Sequence, residues 1–438
     1  MTTSAATFLA PHLPDRSVVP AVWARYTDLL IERGQGSWLT TTDGERYLDY
    51  SSGIGVTNTG HAHPRVAAAI AEQASRLIHG QQNIVFHEAG LRLHARLAET
   101  FGAGYGVFLA NSGAEAVEAA VKLARAATGR PVLLAFRGGF HGRTAPAMAL
   151  TSSRVTIRGD FEPLPGSVYH AEYPDCYRAA GGAHEREHCR CDWEAQLERL
   201  FAQLVNPARV AGVIVEPVLG EGGYLVPPPD FLPRLRAITQ RHGMLLIADE
   251  VQTGFGRTGR FWAQAHWDVQ ADITVMAKGI ASGLPLSGIA ARTELLAAWG
   301  PGAHGGTYGG NAVCCAAANA TLDVIADEDL VANAEARGAQ LLEGLRRVSA
   351  GHPGVGQVRG LGCMLALELV QPSVGDGRTP DPGLVKRVLA EALARKLILL
   401  SAGSWGQVVR IIPPLVTTPD EVELAIGIIG ASLEAAGA

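Results

Sequence analysis

Residues 243–278 read GMLLIADEVQTGFGRTGRFWAQAHWDVQADITVMAK. Met244–Ala248 and Ile273–Ala277 are apolar runs of strand length, and neither alternates with polar residues. Continuous apolar runs of this length fit strands buried on both faces of a parallel sheet. The first run ends in Asp249-Glu250 and the second in Lys278-Gly279. Open α/β sheets bind their ligands beyond the C-terminal ends of their strands. The two runs therefore deliver a carboxylate and a lysine to one crevice. Either these form a salt bridge at the sheet edge, or each meets a different end of a bound group. The stretch also holds Gly254-x-Gly256-x-x-Gly259, a formal match to the dinucleotide fingerprint. Those glycines open no apolar helix and no βα unit follows, so the match is rejected.

The 438 residues are 47% hydrophobic and 18% charged, which is a globular composition with room for two or three domains. A formal net charge of −5 gives no support for nucleic acid or an anionic membrane as partner. No apolar run approaches the roughly 20 residues of a membrane helix. The N-terminal MTTSAATFLAPHLPDRS lacks the basic and apolar segments of a secretory signal. A cytoplasmic location is expected, with the six cysteines as reduced thiols.

Downstream of Lys278, a helix is expected near Thr293–Trp299, followed by HGGTYGGNA. Thr307 in that loop either closes a turn or bonds a phosphate. Ala312–Ala326, Leu330–Ala350, Pro382–Arg395 and Pro419–Ala435 have helical period, and Val358–Val370, Ile398–Leu400 and Val408–Ile412 read as strands. Upstream, the strand Ala211–Val215 runs into EPVLGEGGY, which sets Glu216 and Glu221 beyond its end, and Phe231–His242 is helical. Residues 172–195 hold Cys176, Cys189 and Cys191 with His184 and His188, a set of zinc-ligating types. C-x-C is not the usual C-x2-C spacing, so a surface loop with incidental thiols is expected, and no metal.

Further towards the N-terminus, the strand Val132–Phe136 leads into RGGFHGRT. Phe140 and His141 there are core residues, or an aromatic face for a ring. Arg143 is either solvent-exposed or a bidentate grip for a carboxylate. The strand Gly106–Ala110 precedes Ser112-x-x-Glu115, a capping box that starts a helix. The N–H groups around Gly113 at that positive helix end can seat a phosphate. Val66–Leu77 and Glu88–Phe101 are helical, and Trp38–Tyr50 is a hairpin turning at Asp43-Gly44. His61 and His63 between them are expected to be hydrogen-bonded structural residues. Residues 1–20 form a Pro-rich arm.

A pyridoxal phosphate site uses these parts together. A lysine amine forms an imine with the cofactor aldehyde, and a carboxylate keeps the pyridine nitrogen protonated. The pieces NTGHAHP, NSGAEAVEAA, FHGRT, VEPVLGEGG, LLIADEVQTGFGRTG, AKGI, GGTYGGN and RIIPPL, in this order, resemble the class III (ω-amino acid) aminotransferases. The resemblance runs from about Trp38 to the C-terminus. It implies a fold-type-I α/β architecture: a large domain with a mostly parallel seven-stranded sheet sandwiched by helices, and a smaller α+β domain from both termini. Residues 1–60 would be the arm and hairpin, 61–311 the large domain and 312–438 the C-terminal small domain.

The resemblance also implies roles. Lys278 carries the imine and shuttles a proton, and Asp249 pairs with the pyridine nitrogen. Gln252 approaches the phenolic oxygen, and Val251 and Phe140 cover the two ring faces. Ser112, Gly113 and Ala114 seat the phosphate, with Thr307 reaching it from a neighbouring subunit, so a homodimer or dimer of dimers is expected. His141 and Glu216 join the cofactor-binding set. Arg143 and Arg410 handle substrate carboxylates, Glu221 is the switch that pairs with Arg410, and Ile54 is an apolar substrate-side position. Asn311 is followed by Ala312 where the family usually has Pro, and CYR near Cys176 resembles a 4-aminobutyrate-type branch that also contains racemases. The expected reaction is amino transfer from an ω-amino acid resembling 4-aminobutyrate to 2-oxoglutarate or another oxo acid, with ping-pong kinetics. The alternatives are a racemase or epimerase on the same scaffold and an acetylornithine- or ornithine-type aminotransferase. A non-catalytic scaffold would have no use for Lys278 and Asp249 together.

Overall fold

The computed structural model describes residues 16–179, 189 and 191–438. Its centre is a seven-stranded sheet: β1 (Tyr105–Ala110), β2 (Val132–Phe136), β3 (Val168–Ala171), β4 (Val210–Val215), β5 (Leu245–Asp249), β6 (Ile273–Met276) and β7 (Ser287–Arg292). The spatial order is β1-β7-β6-β5-β4-β2-β3. The neighbours from β6 through β3 are parallel, as the two unbroken apolar runs require. β7 is antiparallel to both β6 and β1. Only residues 277–286 separate β6 from β7, too few for the crossover a parallel neighbour needs, so the chain turns straight back.

Side chains of successive strand residues point to opposite faces. Leu133, Ala135, Ile247, Ile273 and Val275 pack on one face beneath the helix Gly113–Thr128. Leu134, Phe136, Leu246 and Ala248 pack on the other beneath the helix Phe231–His242. Each such side chain taken out of water contributes about 1.5–3 kcal/mol, which is why these strands carry no polar alternation. The helix Gly113–Thr128 begins in the expected capping box, with Ser112 accepting from the Glu115 N–H.

Two smaller sheets flank this core. Ile31–Gln35, Trp38–Thr41 and Arg46–Asp49 form an antiparallel set that Leu397–Ile398 joins in parallel. Val355–Leu361, Met364–Gln371, Val408–Ile411 and Leu400–Ala402 form the other, under helices Leu330–Ser349, Pro382–Ala394 and Pro419–Ala436. The single strand expected over 358–370 is thus two antiparallel strands. The chain reverses at Gly362, whose φ of +52° suits glycine and would strain other residues. β3, β7 and Ile31–Gln35 are strands the periodicity did not announce. The helix Ala312–Asp327 packs on helices Pro64–Arg76 and Glu88–Glu99. Asn311 caps it by accepting from the N–H groups of Val313 and Cys314 at 2.9 and 3.2 Å.

The glycines at 254, 256 and 259 lie in a loop after β5 that carries the fully buried Arg257. Its guanidinium donates to Asn58 Oδ1 at 2.6 Å, to the Cys363 carbonyl at 3.3 Å and to the Pro413 carbonyl. Three distant segments thus close on one cation. Among the described residues no helix is long and apolar enough to cross a membrane.

Candidate active site

A cavity of about 480 Å³ lies beyond the C-terminal ends of β5 and β6. It is lined by Asp249, Val251, Gln252 and Lys278 from those strand ends, and by Ser112, Gly113 and Ala114 from the helix start. Phe140, His141 and Arg143 from the loop after β2, with Glu216 and Glu221 from the loop after β4, complete the predicted set. The salt bridge that β5 and β6 allowed does not form: among the described residues, Asp249 and Lys278 share no ion pair.

Asp249 is buried and turns to other partners. Its Oδ2 lies 2.7 Å from His141 Nδ1, and its Oδ1 accepts from the Val251 N–H at 3.1 Å. Burial opposes a charge on His141, but the hydrogen bond and charge of Asp249, with Glu216 nearby, outweigh it and raise the imidazole pKa. Glu216 Oε1 and Oε2 accept from the N–H groups of Phe140 and Gly220, each at 2.8 Å. Burial first, then the Asp249 charge, pushes its carboxyl up to about 7 against the pull of His141. Glu216 therefore braces the loop that carries Phe140, in addition to facing the cavity.

Lys278 follows β6 in a left-handed conformation, φ +47°, which few side-chain-bearing residues adopt. Burial, with the Arg410 charge, holds its amine down to about 8, although Glu221, Glu216 and Asp249 pull the other way. Strain and a displaced pKa at one residue are marks of a functional position.

Arg410 and Glu221 make a two-pronged ion pair. Arg410 Nη2 donates to Glu221 Oε2 at 2.7 Å, and Nη1 lies 2.7 Å from Oε1. Arg410 also donates to the Ser401 carbonyl at 3.1 Å and lies over the Tyr224 ring. Burial works against the Glu221 charge, and Arg410 overcomes it, so the carboxyl pKa is lowered. Arg143 is exposed, with its guanidinium 5.6 Å from the Phe140 ring centre.

The residues fit a phosphorylated, ring-shaped cofactor. Helix N-termini leave their first N–H groups without intrahelical partners, and the cap takes only that of Glu115, which leaves those of Gly113 and Ala114 facing the cavity rim. Gln252 Oε1 is buried without a hydrogen-bond partner, so its carboxamide has capacity to spare for a ligand.

Two predicted residues do not line this cavity. Thr307 is exposed on the 303–310 loop, and Ile54 is 41% exposed in a left-handed backbone conformation. Arg410 reaches the cavity through Glu221. The residues missed from the sequence are Val56, Asn111, Leu284, Pro285 and Leu286, which also line it. The signal for the last three was available: a Gly-Leu-Pro segment directly after a strand-end lysine has to pass over the crevice. His61 and His63 are hydrogen-bonded as expected, to Asp49 at 2.8 Å and Glu328 at 3.0 Å. Cys176, expected in a surface loop, is buried, and it converges with Cys189 and Cys191, while His184 and His188 lie outside the described residues.

A mostly parallel seven-stranded sheet, with a lysine and a carboxylate at adjacent strand ends and a helix N-terminus between them, defines a fold-type-I pyridoxal phosphate enzyme. Residues 19–433 match the family model described as Aminotransferase class-III, and the chain belongs to that family. It is 40% identical over 407 residues to the 5-aminovalerate aminotransferase DavT of Pseudomonas aeruginosa, covering 92% of this chain and 93% of that one. It is 39% identical over 403 residues to the 4-aminobutyrate aminotransferase GabT of Escherichia coli, covering 92% of each. Among solved structures, an amine transaminase from an uncultivated Pseudomonas species, in its PLP-bound form, superposes with a TM-score of 0.87 at 36% identity, covering 97% of each chain. The chain is accordingly a pyridoxal-phosphate-dependent aminotransferase.

Proposed function

We propose that the enzyme moves an amino group from the terminal carbon of an ω-amino acid of the 4-aminobutyrate and 5-aminovalerate class to a dicarboxylic oxo acid such as 2-oxoglutarate. The observation that carries this reading is the Glu221–Arg410 pair beside Lys278. Paired, Arg410 is neutralised and the wall accepts the end of a donor that has no carboxylate there. Released by Glu221, Arg410 offers a two-pronged grip to the second carboxylate of the acceptor. Arg143, exposed at the other side of Phe140, takes the remaining carboxylate. The names of the DavT and GabT relatives support this donor class.

Pyridoxal phosphate, when bound, supplies the electron sink at the amine-bearing carbon. Asp249, oriented by His141, holds a proton at the ring nitrogen. Gln252 donates to the phenolic oxygen, and Ser112–Ala114 hold the phosphate. Phe140 and Val251 supply the faces between which the ring is held. Lys278 Nζ takes the proton from the amine-bearing carbon and returns it. A pKa near 8 leaves part of the lysine neutral, and so able to act as a base, at neutral pH. Thr307 completes the phosphate seat of a second copy, so the working unit is a homodimer or a dimer of dimers. Its exposure, beside the exposed Ile84, Phe86 and Tyr308, supports that assignment. The chain divides into the arm and hairpin 1–60, the cofactor-binding part 61–311 and the C-terminal part 312–438.

The test is a donor panel against 2-oxoglutarate and pyruvate, run on wild type and Arg410→Ala. Loss of the two-pronged grip should raise the KM for 2-oxoglutarate at least tenfold and leave that for pyruvate within twofold. An unchanged 2-oxoglutarate KM removes Arg410 from the role. Racemisation of a single enantiomer without any oxo acid, and no amino transfer, removes the aminotransfer reading of this site.

A further inference from the structure

Cys176, Cys189 and Cys191 come from the two ends of one insertion. Their sulfurs all lie within 4.8 Å of one another, far from the cofactor cavity and absent from its lining. Cys189 Sγ is 2.8 Å from Cys191 Sγ, too far for a disulfide and too near for two thiols that have only each other. Two Zn–S bonds of about 2.3 Å span at most ~4.6 Å, so the three sulfurs need to move only slightly to share one ion. A thiolate set of this kind selects a soft or borderline cation, and zinc accepts it without redox chemistry. Burial argues the same way. Cys176 is buried beside Tyr173 and Tyr177, and Cys191 packs against the core that holds Trp193. The sequence expectation of incidental surface thiols does not describe this arrangement.

We propose that Cys176, Cys189 and Cys191 bind one structural zinc ion that fastens the insertion shut. Each thiol gives up its proton on binding, and the three thiolates form three Zn–S bonds, with no change of oxidation state. Among the described residues no fourth protein ligand joins them.

The fastening has a purpose in the fold. Arg178, next but one to Cys176, pairs with Glu368 in the strand Met364–Gln371 and donates to the Arg378 carbonyl at 2.9 Å. Glu368 also pairs with Arg359 at 2.5 Å, and Arg359 Nη2 donates to the Gly223 carbonyl at 2.7 Å, two residues beyond Glu221. The ion thus ties the insertion to the sheet that carries Arg410. It is a structural ion and does not touch the reacting atoms.

Metal analysis of the holoenzyme, produced with zinc in the growth medium, tests this. Wild type should carry one zinc per chain, and Cys176→Ser, Cys189→Ser and Cys191→Ser should each carry less than a tenth of that. Cys314→Ala, whose thiol lies elsewhere, should keep its zinc. Should the serine variants fail to fold, wild type treated with an organomercurial in the presence of a chromogenic zinc dye should release one zinc as three thiols react. The pyridoxal phosphate absorbance reports folding separately. Wild type that holds no zinc after incubation with the ion, or that yields a Cys189–Cys191 disulfide on mass mapping, overturns the proposal.

Discussion

Lys278 carries two opposed demands. It must be held in place, and it must be able to lose its proton. Its displaced pKa has a measurable consequence for the cofactor-free protein. The unfolded chain holds the lysine proton up to about its ordinary 10.5, whereas the folded chain releases it near 8. Between those values the unfolded state binds more protons, so stability rises with pH through that window. Lys278→Met removes the cost of the buried charge and keeps the apolar stem. The variant should melt higher at pH 7 by roughly 1 kcal/mol, or about 2 °C, because water in the cavity recovers part of the cost. The gap should close by about pH 10.5; calorimetry of the two apoproteins across pH reads both effects. At Asp249, replacement by Asn keeps the shape and removes the charge that supports His141. A loss of about 10²–10³ in kcat is expected from removing one electrostatic group of this kind, read in steady-state assays at saturating cofactor. Both residues were legible because each ends an apolar run. Arg410 was placed only by its resemblance to a family position, since an arginine inside the strand Val408–Ile411 looks like any other until Glu221 is seen opposite it.

Elements were legible where one physical signal dominated. The capping box fixed the start of the helix Gly113–Thr128, and unbroken apolarity marked β2, β4, β5 and β6. β7 escaped because SGIAAR is short and rich in small residues, and its direction is set by the tight turn before it, not by its own composition. The hairpin at Gly362 escaped because its two strands are joined by too few residues to interrupt the apolar pattern. The loop after β2 depends on Gly142, whose φ is +132° and whose added Cβ would lie 2.8 Å from Ala114 Cβ and 2.9 Å from Ala147 Cβ. Gly142→Ala should therefore push the phosphate-seat helix and this loop apart. Overpacking of this sort costs about 1–3 kcal/mol, so cofactor affinity should fall at least tenfold in a pyridoxal phosphate titration, with a lower melting temperature.

At the scale of the whole molecule, the loop 303–310 leaves Thr307 pointing away from its own cavity. Light scattering should accordingly give at least twice the mass of one chain. Thr307→Ala should weaken pyridoxal phosphate binding several-fold without dissociating the assembly, which titration of the assembled variant reads. This level of organisation lies outside any periodicity, because it depends on surfaces meeting between chains.

Arg257 adds a consequence for how the polypeptide can be divided. Its charge is sealed from water, and its acceptors are an amide at Asn58 and carbonyls at Cys363 and Pro413. A break in the chain anywhere between 258 and 362 leaves the cation on one fragment and two of its acceptors on the other. Neither fragment can then bury the guanidinium with its acceptors complete, and an unsatisfied buried charge is among the costliest features a fold can hold. Complementing halves of this enzyme would have to find each other while still open, so a split version assembles by joint folding and not by docking of two finished pieces.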